Sequence, residues 1–491
     1  MRLPQRTDVL IVGAGPTGLT LAAYLHAAGI KTVIVDRAAE ANGDSRAAML
    51  HLRALELLNT LGVGKALAAQ GVPISSTAYF DMGVKVCDLD FGSLGSRQPH
   101  ALGIQQRRVE QVLTARLEEL GGVVRRGRTL AQIEQQDEQV VATLVSVRGT
   151  RNSIKARYLV GCDGAQSTVR KLCGLAGKST ELADAYAIAD APVRGEFEPG
   201  TMHYYAATSG LAVVSPLPDG LWRITATLRH ISTVPTREQL QLILSERGPR
   251  TSSVEIGPLA AVGRYRINRS VAPSLRDGRV LLAGDAAHTF SPATAQGMNT
   301  GIADAANLAW KLAAVLRETA KDTLLDSYDT ERRQAALDAI RRTERYSNGL
   351  ASSNPVARGI RDTLGLLAGR IDALRLPMTE GLAGFDTRYE KGLVGADREV
   401  DGWGEVGKRI EQLPPAMRGR ASFRLLCSDR AESGRLKTFA RDWPVGIDVG
   451  LFSKGGKGFV LVRPDDHIAW LGGAKRLNEL RDLLDHWFIA A

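Results

Sequence analysis

The stretch from residue 7 to residue 37, TDVLIVGAGPTGLTLAAYLHAAGIKTVIVDR, leaves the chain few ways to begin folding. An apolar run reads as a strand. Gly13, Gly15 and Gly18 follow with the spacing G-x-G-x-x-G, Pro16 and Thr17 open a helix, and a second apolar run ends at Asp36. Gly13 permits a sharp turn, Gly15 lets a diphosphate approach the backbone, and Gly18 lets the helix pack close to the sheet. The positive end of the helix then faces the diphosphate. A carboxylate about 20 residues beyond the glycines can accept from ribose hydroxyls, and Asp36 stands there. The unit holds a dinucleotide, and on its own does not separate NAD from FAD.

The 491 residues exceed one ordinary core, so about two to four domains are expected. The net charge is +10, but the basic residues are scattered without a Lys/Arg block or aromatic interleaving. That pattern argues against a nucleic-acid partner and suits anionic, phosphorylated ligands. Four cysteines without C-x-x-C, and eight histidines without H-E-x-x-H, point to a reducing, cytoplasmic setting and to no metal. The N-terminus lacks the apolar region of a signal peptide. No window approaches the roughly 18 apolar residues of a membrane span, so no membrane partner is expected. The apolar segment 302–316 carries Asp304, Asn307 and Lys311 and reads as a soluble amphipathic helix.

Two later motifs extend the first. In ARYLVGCDGAQSTVRKLCGL a strand at 158–161 ends in Cys162-Asp163-Gly164, and Ser167 can cap a helix beginning near Thr168. In DGRVLLAGDAAHTFSPATAQGMNTGIADAANLAWKL a strand at 279–283 ends at Gly284-Asp285. Asp285 therefore sits at the carboxyl end of a strand, where open α/β sheets bind ligands. Pro292, Gly297, Met298 and Asn299 precede a long helix with Ile302, Ala305, Leu308, Ala309 and Leu312 on its buried side. The free N–H groups at that helix start suit an electron-rich, negatively charged ring.

Three such motifs in this order resemble the single-component, FAD-dependent aromatic hydroxylases (group A flavoprotein monooxygenases), of the phenol and polyketide hydroxylase type. The resemblance runs from about Asp8 to about Arg345. It implies that Asp36 binds the adenosine ribose with Arg37 beside it, that Arg46 lies near flavin and diphosphate, and that Gln106 contacts the ribityl chain. Leu130 would pack near adenine, Asp163 would serve the diphosphate side and NAD(P)H, and Asp285 would hold the ribityl chain. Met298 and Asn299 would line the isoalloxazine, and Pro292 would cover its reaction face. Arg46, Pro292 and the helix start at Gly297 are the groups expected to position the flavin for catalysis. The sequence departs from the family at Ser291, Thr294 and Ala295, where proline or glycine is common, which bears on substrate shape more than on FAD binding.

Residues 178–270 alternate as short strands, among them TMHYYAAT, LAVVSPL and LWRITATL with the turn Pro218-Asp219-Gly220. By the resemblance this sheet forms the substrate pocket, with Tyr204, Tyr205 and Trp222 as candidate liners. ERRQAALDAIRRTERY is strongly charged along one helical face, which is expected to be solvated. Composition shifts near Gly392. FVLVRPDDHIAW reads as two strands around a turn and AKRLNELRDLLDHWF as a helix. This last part resembles the thioredoxin-like C-terminal domain of phenol-hydroxylase-type relatives. It lacks C-x-x-C, so it is read as structural or homodimer-forming.

The expected fold is α/β (α+β overall). A discontinuous Rossmann-like FAD-binding domain (1–177 and 271–345) carries an inserted antiparallel substrate domain (178–270). A helical connection (346–390) leads to a thioredoxin-like C-terminal domain (391–491). The resemblance implies non-covalently bound FAD, transient reduction by NADPH or NADH, and O2 as co-substrate. One oxygen atom would reach a small aromatic, phenolic and polyketide-like substrate through a C4a-hydroperoxyflavin. No second G-x-G-x-x-G appears, so the reductant has no nucleotide domain of its own. Baeyer–Villiger or epoxidising chemistry, inactivation of an aromatic antibiotic, and a non-catalytic flavin- or ligand-sequestering role remain open at this point.

Overall fold

The computed structural model describes residues 3–41, 47–177, 179–181, 185–228, 233–250, 253–266, 268–290, 295–350, 371–396, 399–400, 402–452 and 456–490, with 359, 363, 365 and 367. Arg46 and Pro292 lie outside that set.

An eight-stranded sheet organises the N-terminal half. Its centre is the strand Arg6–Val12, parallel to Thr32–Val35 on one side and to Arg151–Gly161 on the other. Val280–Leu282 continues the parallel run beyond Arg151–Gly161. Val9, Leu10 and Ile11 are fully buried, as parallel strands covered on both faces must be. The helices Pro16–Ala27 and Gln296–Leu316 pack on each other over this sheet. Strands Arg128–Gln135 and Val140–Ser146 form an antiparallel arm on Arg151–Gly161. The functional consequence is topological: the glycine turn, Asp163-Gly164 and Gly284-Asp285 follow three adjacent parallel strands. They emerge side by side at the carboxyl ends of these strands, joined by Cys162 N donating to Val12 O at 2.7 Å and Ala283 N to Gly161 O at 2.9 Å.

A seven-stranded sheet runs in the order Ala261–Tyr265, Ala185–Ala191, Trp222–Leu228, Gly210–Pro216, Thr201–Ala207, Ser76–Asp81, Val84–Asp90. The last two strands come from outside residues 178–270. Ser76–Asp81 pairs parallel with Thr201–Ala207, a long-range pairing that no local pattern announces. Ala185, Ala187, Ala189 and Ala191 alternate onto the face that shares an apolar core with the helix Arg237–Arg247, which lies over Gly210–Pro216 and Thr201–Ala207. Thr236 closes that helix start with a capping box to Gln239.

His203 is buried within an aromatic group of Phe80, Phe197, Tyr205 and Trp222. Burial pushes its imidazole down to about 4, from an ordinary 6.5. The unfolded chain therefore takes up a proton across this interval that the folded chain refuses, and stability falls as pH drops through it. His203→Phe is expected to flatten the dependence of urea midpoint on pH in that window. An unchanged slope would contradict the assignment.

The C-terminal unit has four strands in the order Ile447–Leu451, Phe423–Cys427, Phe459–Val462, Ile468–Gly472, flanked by helices Arg430–Ala440 and Leu477–Trp487. Asp429 caps the first helix by accepting from Ala431 N at 2.8 Å.

One expectation holds only in part: Asp338 and Arg341 reach solvent, but two charges at the start of the segment do not. Glu331 and Arg332, on the charged helix Leu324–Leu350, are 1% and 3% exposed rather than solvated. They meet Asp304, Asn307 and Lys311, which form a buried polar stripe on Gln296–Leu316. Helical period shows that a face is polar, not whether it meets water or another polar face. Here every charge on the stripe finds an opposite one, which is what allows its burial.

Candidate active site

Where the three motifs emerge, the structure opens a cavity of about 970 Å³. Gly13, Gly15, Pro16, Thr17, Asp36, Arg37, Gln106, Leu130, Asp163, Asp285, Gly297 and Met298 all line it. Gly13 has φ +108°, and a Cβ there would run into the carbonyl of Cys162. Gly18 lies behind the cavity, where a Cβ would strike the Gly13 carbonyl; it serves packing, not contact. Helix Pro16–Ala27 starts without a side-chain cap and without an acidic residue in its first turn, so its N–H groups stay available to an anion.

The carboxylates are held differently. Asp36 accepts from Ala14 N at 2.7 Å and Ala38 N at 2.8 Å, which fixes it at the end of the second strand. Asp163 accepts from Thr168 N at 2.6 Å, Val169 N at 3.1 Å and the Ser167 hydroxyl at 2.5 Å, and so braces the short helix Thr168–Leu172. Ser167 caps that helix by accepting from Arg170 N at 3.0 Å, as the sequence suggests. Asp285 is exposed to the cavity from the turn Gly284–Ala286. Gln106 begins the helix Gln106–Glu119 and donates to Glu110 Oε1 at 2.9 Å, while its own Oε1 accepts from Ala47 N at 3.4 Å. Burial raises the Glu110 carboxyl above its ordinary value.

Helix Gln296–Leu316 starts against the cavity with Ala295 in a left-handed conformation, φ +51°, which a glycine adopts without strain. Asn299 does not line the cavity. Its Oδ1 accepts from His51 N at 2.8 Å, and its Nδ2 donates to Met49 O at 3.1 Å and Ala295 O at 2.8 Å. It pins the helix start to the strand Met49–Leu50, whose Met49 does line the cavity.

The floor of the cavity belongs to the seven-stranded sheet: Ile188, Met202, Val213, Ser215, Arg223 and Thr225. Tyr204, Tyr205 and Trp222 are placed elsewhere. Tyr204 stacks on Tyr79 at 4.7 Å, Tyr205 on Phe80 at 4.8 Å, and Trp222 packs against Phe197 at 5.1 Å. These three rings pack against other rings, while Tyr265 and Phe290 are the rings that line the cavity. The Ser215 hydroxyl is buried on this floor with no protein partner among the described residues. Arg223 beside it is paired with Asp190. Sequence reading also passed over Arg126, Arg128, Arg170 and Lys171, which bring positive charge to the motif end of the cavity. Arg170 carried the one usable signal, its place on the helix after Asp163-Gly164. It donates to Ala286 O at 2.7 Å and Ala165 O at 2.6 Å, tying the second motif to the third.

Known proteins match this arrangement along nearly the whole chain. The FAD binding domain model matches residues 6–343, and the model described as aromatic-ring hydroxylase, C-terminal, matches residues 416–491. A 12-dehydrotetracycline 5-monooxygenase/anhydrotetracycline 6-monooxygenase of Streptomyces rimosus is 33% identical across 99% of both chains. A rifampicin monooxygenase of Streptomyces venezuelae is 29% identical, again across 99% of both. The solved structure of OxyS, anhydrotetracycline hydroxylase from Streptomyces rimosus, superposes with a TM-score of 0.76 at 31% identity, covering 99% of this chain and 100% of that one. The family-model matches, identity and coverage agree: this chain belongs to the FAD-dependent aromatic-ring monooxygenases.

Proposed function

We propose that this enzyme uses NAD(P)H and O2 to hydroxylate a small phenolic substrate with fused rings, of the tetracycline-like polyketide class. The observation that carries the reading is the single cavity that joins the dinucleotide motifs to the sheet floor. FAD fits the motif end: the Gly13 turn leaves backbone room that a Cβ would fill, and the helix start leaves N–H donors uncapped. When bound and reduced, FAD supplies the activation of oxygen.

The protein's own residues divide the remaining work. Gly13, Gly15, Pro16 and Thr17 cradle the diphosphate, Asp36 and Arg37 the adenosine, and Leu130 the adenine side. Gln106 and Asp285 take the ribityl chain, and Gly297 and Met298 present N–H groups and an apolar surface to the ring system. Asp163 acts through the short helix it braces. Ile188, Met202 and Val213 keep the substrate end apolar and dry, which strengthens every polar contact made there. The Ser215 and Thr225 hydroxyls offer hydrogen bonds to ring substituents. The sheet serves as a substrate domain and the C-terminal unit as a thioredoxin-like domain without redox function in this reading. The substrate domain is extended here by the strands within residues 76–90. The four unpaired cysteines support a reducing, cytoplasmic setting, and no helix among the described residues is long and apolar enough to cross a membrane.

NADPH consumption by the FAD-loaded protein, with anhydrotetracycline, rifampicin and simple phenols, tests the reading. Stimulation by a fused-ring phenol with a product heavier by one oxygen supports it. Turnover with rifampicin alone would favour the antibiotic-inactivating reading, rifampicin being the compound in the name of a relative at 29% identity. Asp285→Ala is expected to weaken FAD binding roughly tenfold to a hundredfold, the loss of a charged hydrogen-bond acceptor. Undiminished flavin content after gel filtration would refute that role.

A further inference from the structure

The buried polar stripe forms an unbroken path from the Asp285 turn to the C-terminal unit. Gly284 N donates to Asp304 Oδ2 at 2.9 Å, and His288 Nε2 lies 2.6 Å from the same oxygen. Arg332 Nε donates to Asp304 Oδ1 at 2.7 Å, and Arg332 Nη1 to the Tyr389 hydroxyl at 3.0 Å. Asn307 Nδ2 is shared by Glu331 Oε2 at 2.8 Å, Asp465 Oδ2 at 3.1 Å and the Tyr389 hydroxyl at 3.4 Å. Arg463 then grips Asp465 with two hydrogen bonds, at 3.0 and 2.7 Å, and Glu331 with two more, at 2.8 and 2.7 Å. Asp304, Asn307, Arg332, Tyr389, Arg463 and Asp465 do not line the cavity, so contact with cofactor or substrate does not account for them.

Holding two helices and a domain together does not require such an array. Well-packed apolar residues do this as well, without desolvating charges. Directional bonds add something packing lacks, one rotation and one register of the helix relative to the turn it touches. Gly284 N, bonded by Asp304, is the backbone amide directly before Asp285, and Thr300, Asp304, Asn307 and Lys311 recur along one face of the helix whose start borders the cavity.

We propose that the C-terminal turn at residues 463–467 positions the FAD site, by fixing the helix Gln296–Leu316 through Asn307 and the turn Gly284–Ala286 through Asp304. The C-terminal unit is then a positioning element for the flavin and not only a structural appendage. The proposal rests on the FAD-site reading.

The test uses the full-length protein with its FAD removed and titrated back, followed by flavin fluorescence. Asn307→Leu and Asp465→Ala are expected to raise the FAD dissociation constant about tenfold at a temperature where circular dichroism shows both folded. They are also expected to alter the visible circular dichroism of the bound flavin. Val460→Ala, in the C-terminal core but off the path, lowers the melting temperature and is expected to leave FAD affinity within about twofold. Should Asp465→Ala fail to fold, Asp465→Asn keeps the shape, and a two- to fivefold loss is expected. Unchanged affinity in folded Asn307→Leu and Asp465→Asn would overturn the proposal, as would an equal loss in Val460→Ala. Failure of the wild type to bind FAD would instead overturn the site reading itself.

Discussion

Glu331→Gln is expected to cost about 3–5 kcal/mol of stability, the loss that follows when one partner of a buried charge group is removed. Glu331 accepts from Lys311 Nζ at 2.7 Å, from Arg463 at 2.8 and 2.7 Å, from Asn307 Nδ2 at 2.8 Å and from Leu393 N at 3.1 Å. Lys311 and Arg463 are fully buried. A glutamine offers one acceptor oxygen in place of two and turns an amide donor toward cations. Burial alone would raise the Glu331 carboxyl, but Arg463 and Lys311 hold it well below the ordinary carboxylate value. Its contribution to stability is therefore present above the unfolded carboxylate range and is lost as pH falls below it. Urea unfolding at neutral pH measures the cost. The double variant Glu331→Leu/Lys311→Met, which removes one charge of each sign, is expected to be less destabilised than Glu331→Gln. A loss below about 1 kcal/mol in the single variant would mean that the pairing is solvated after all.

Gly13→Ala is expected to abolish FAD binding and to destabilise the N-terminal sheet by more than about 2 kcal/mol, from strain and steric clash together. The residue sits at φ +108°, and its Cβ would meet the Cys162 carbonyl, part of the chain leading into Asp163. Neither backbone can yield freely, because Gly13 N donates to Val35 O at 2.8 Å and Cys162 N to Val12 O at 2.7 Å. Gly15→Ala is the informative contrast. Nothing lies within 4 Å of its Cβ position. Its melting temperature should match the wild type without cofactor, while FAD affinity falls because the added methyl faces the cavity. Equal flavin content in Gly13→Ala and wild type would contradict the cradle geometry.

The motif end of the site was legible because its chemistry is local. Glycine spacing, a strand-ending aspartate and a following helix identify each piece, and parallel pairing brings the pieces together. Asn299 belongs to the same motif but turned out to brace the helix start, since nothing in its spacing distinguishes a liner from a strut. The substrate end was less legible for a physical reason. Tyr204, Tyr205 and Trp222 attract notice by size, yet they pack against Tyr79, Phe80 and Phe197, while Tyr265, Phe290, Val213 and Ser215 line the cavity, and strand alternation alone does not separate the two sets. The strand Ser76–Asp81 was missed as part of this sheet because its partner Thr201–Ala207 lies more than a hundred residues away, and Val84–Asp90 joins the sheet only through it. Asp304, Asn307 and Lys311 mark the segment 302–316 as an amphipathic helix, but period alone does not name the neighbour of its polar side.

The most direct test of the central claim is isotopic. FAD-loaded protein is incubated with NADPH, anhydrotetracycline and labelled dioxygen, and the product is examined by mass spectrometry. One labelled oxygen atom in the product for each NADPH consumed is the expected result. NADPH consumption that yields only hydrogen peroxide, with this and every other fused-ring phenol, would contradict the assignment of a hydroxylase to this cavity.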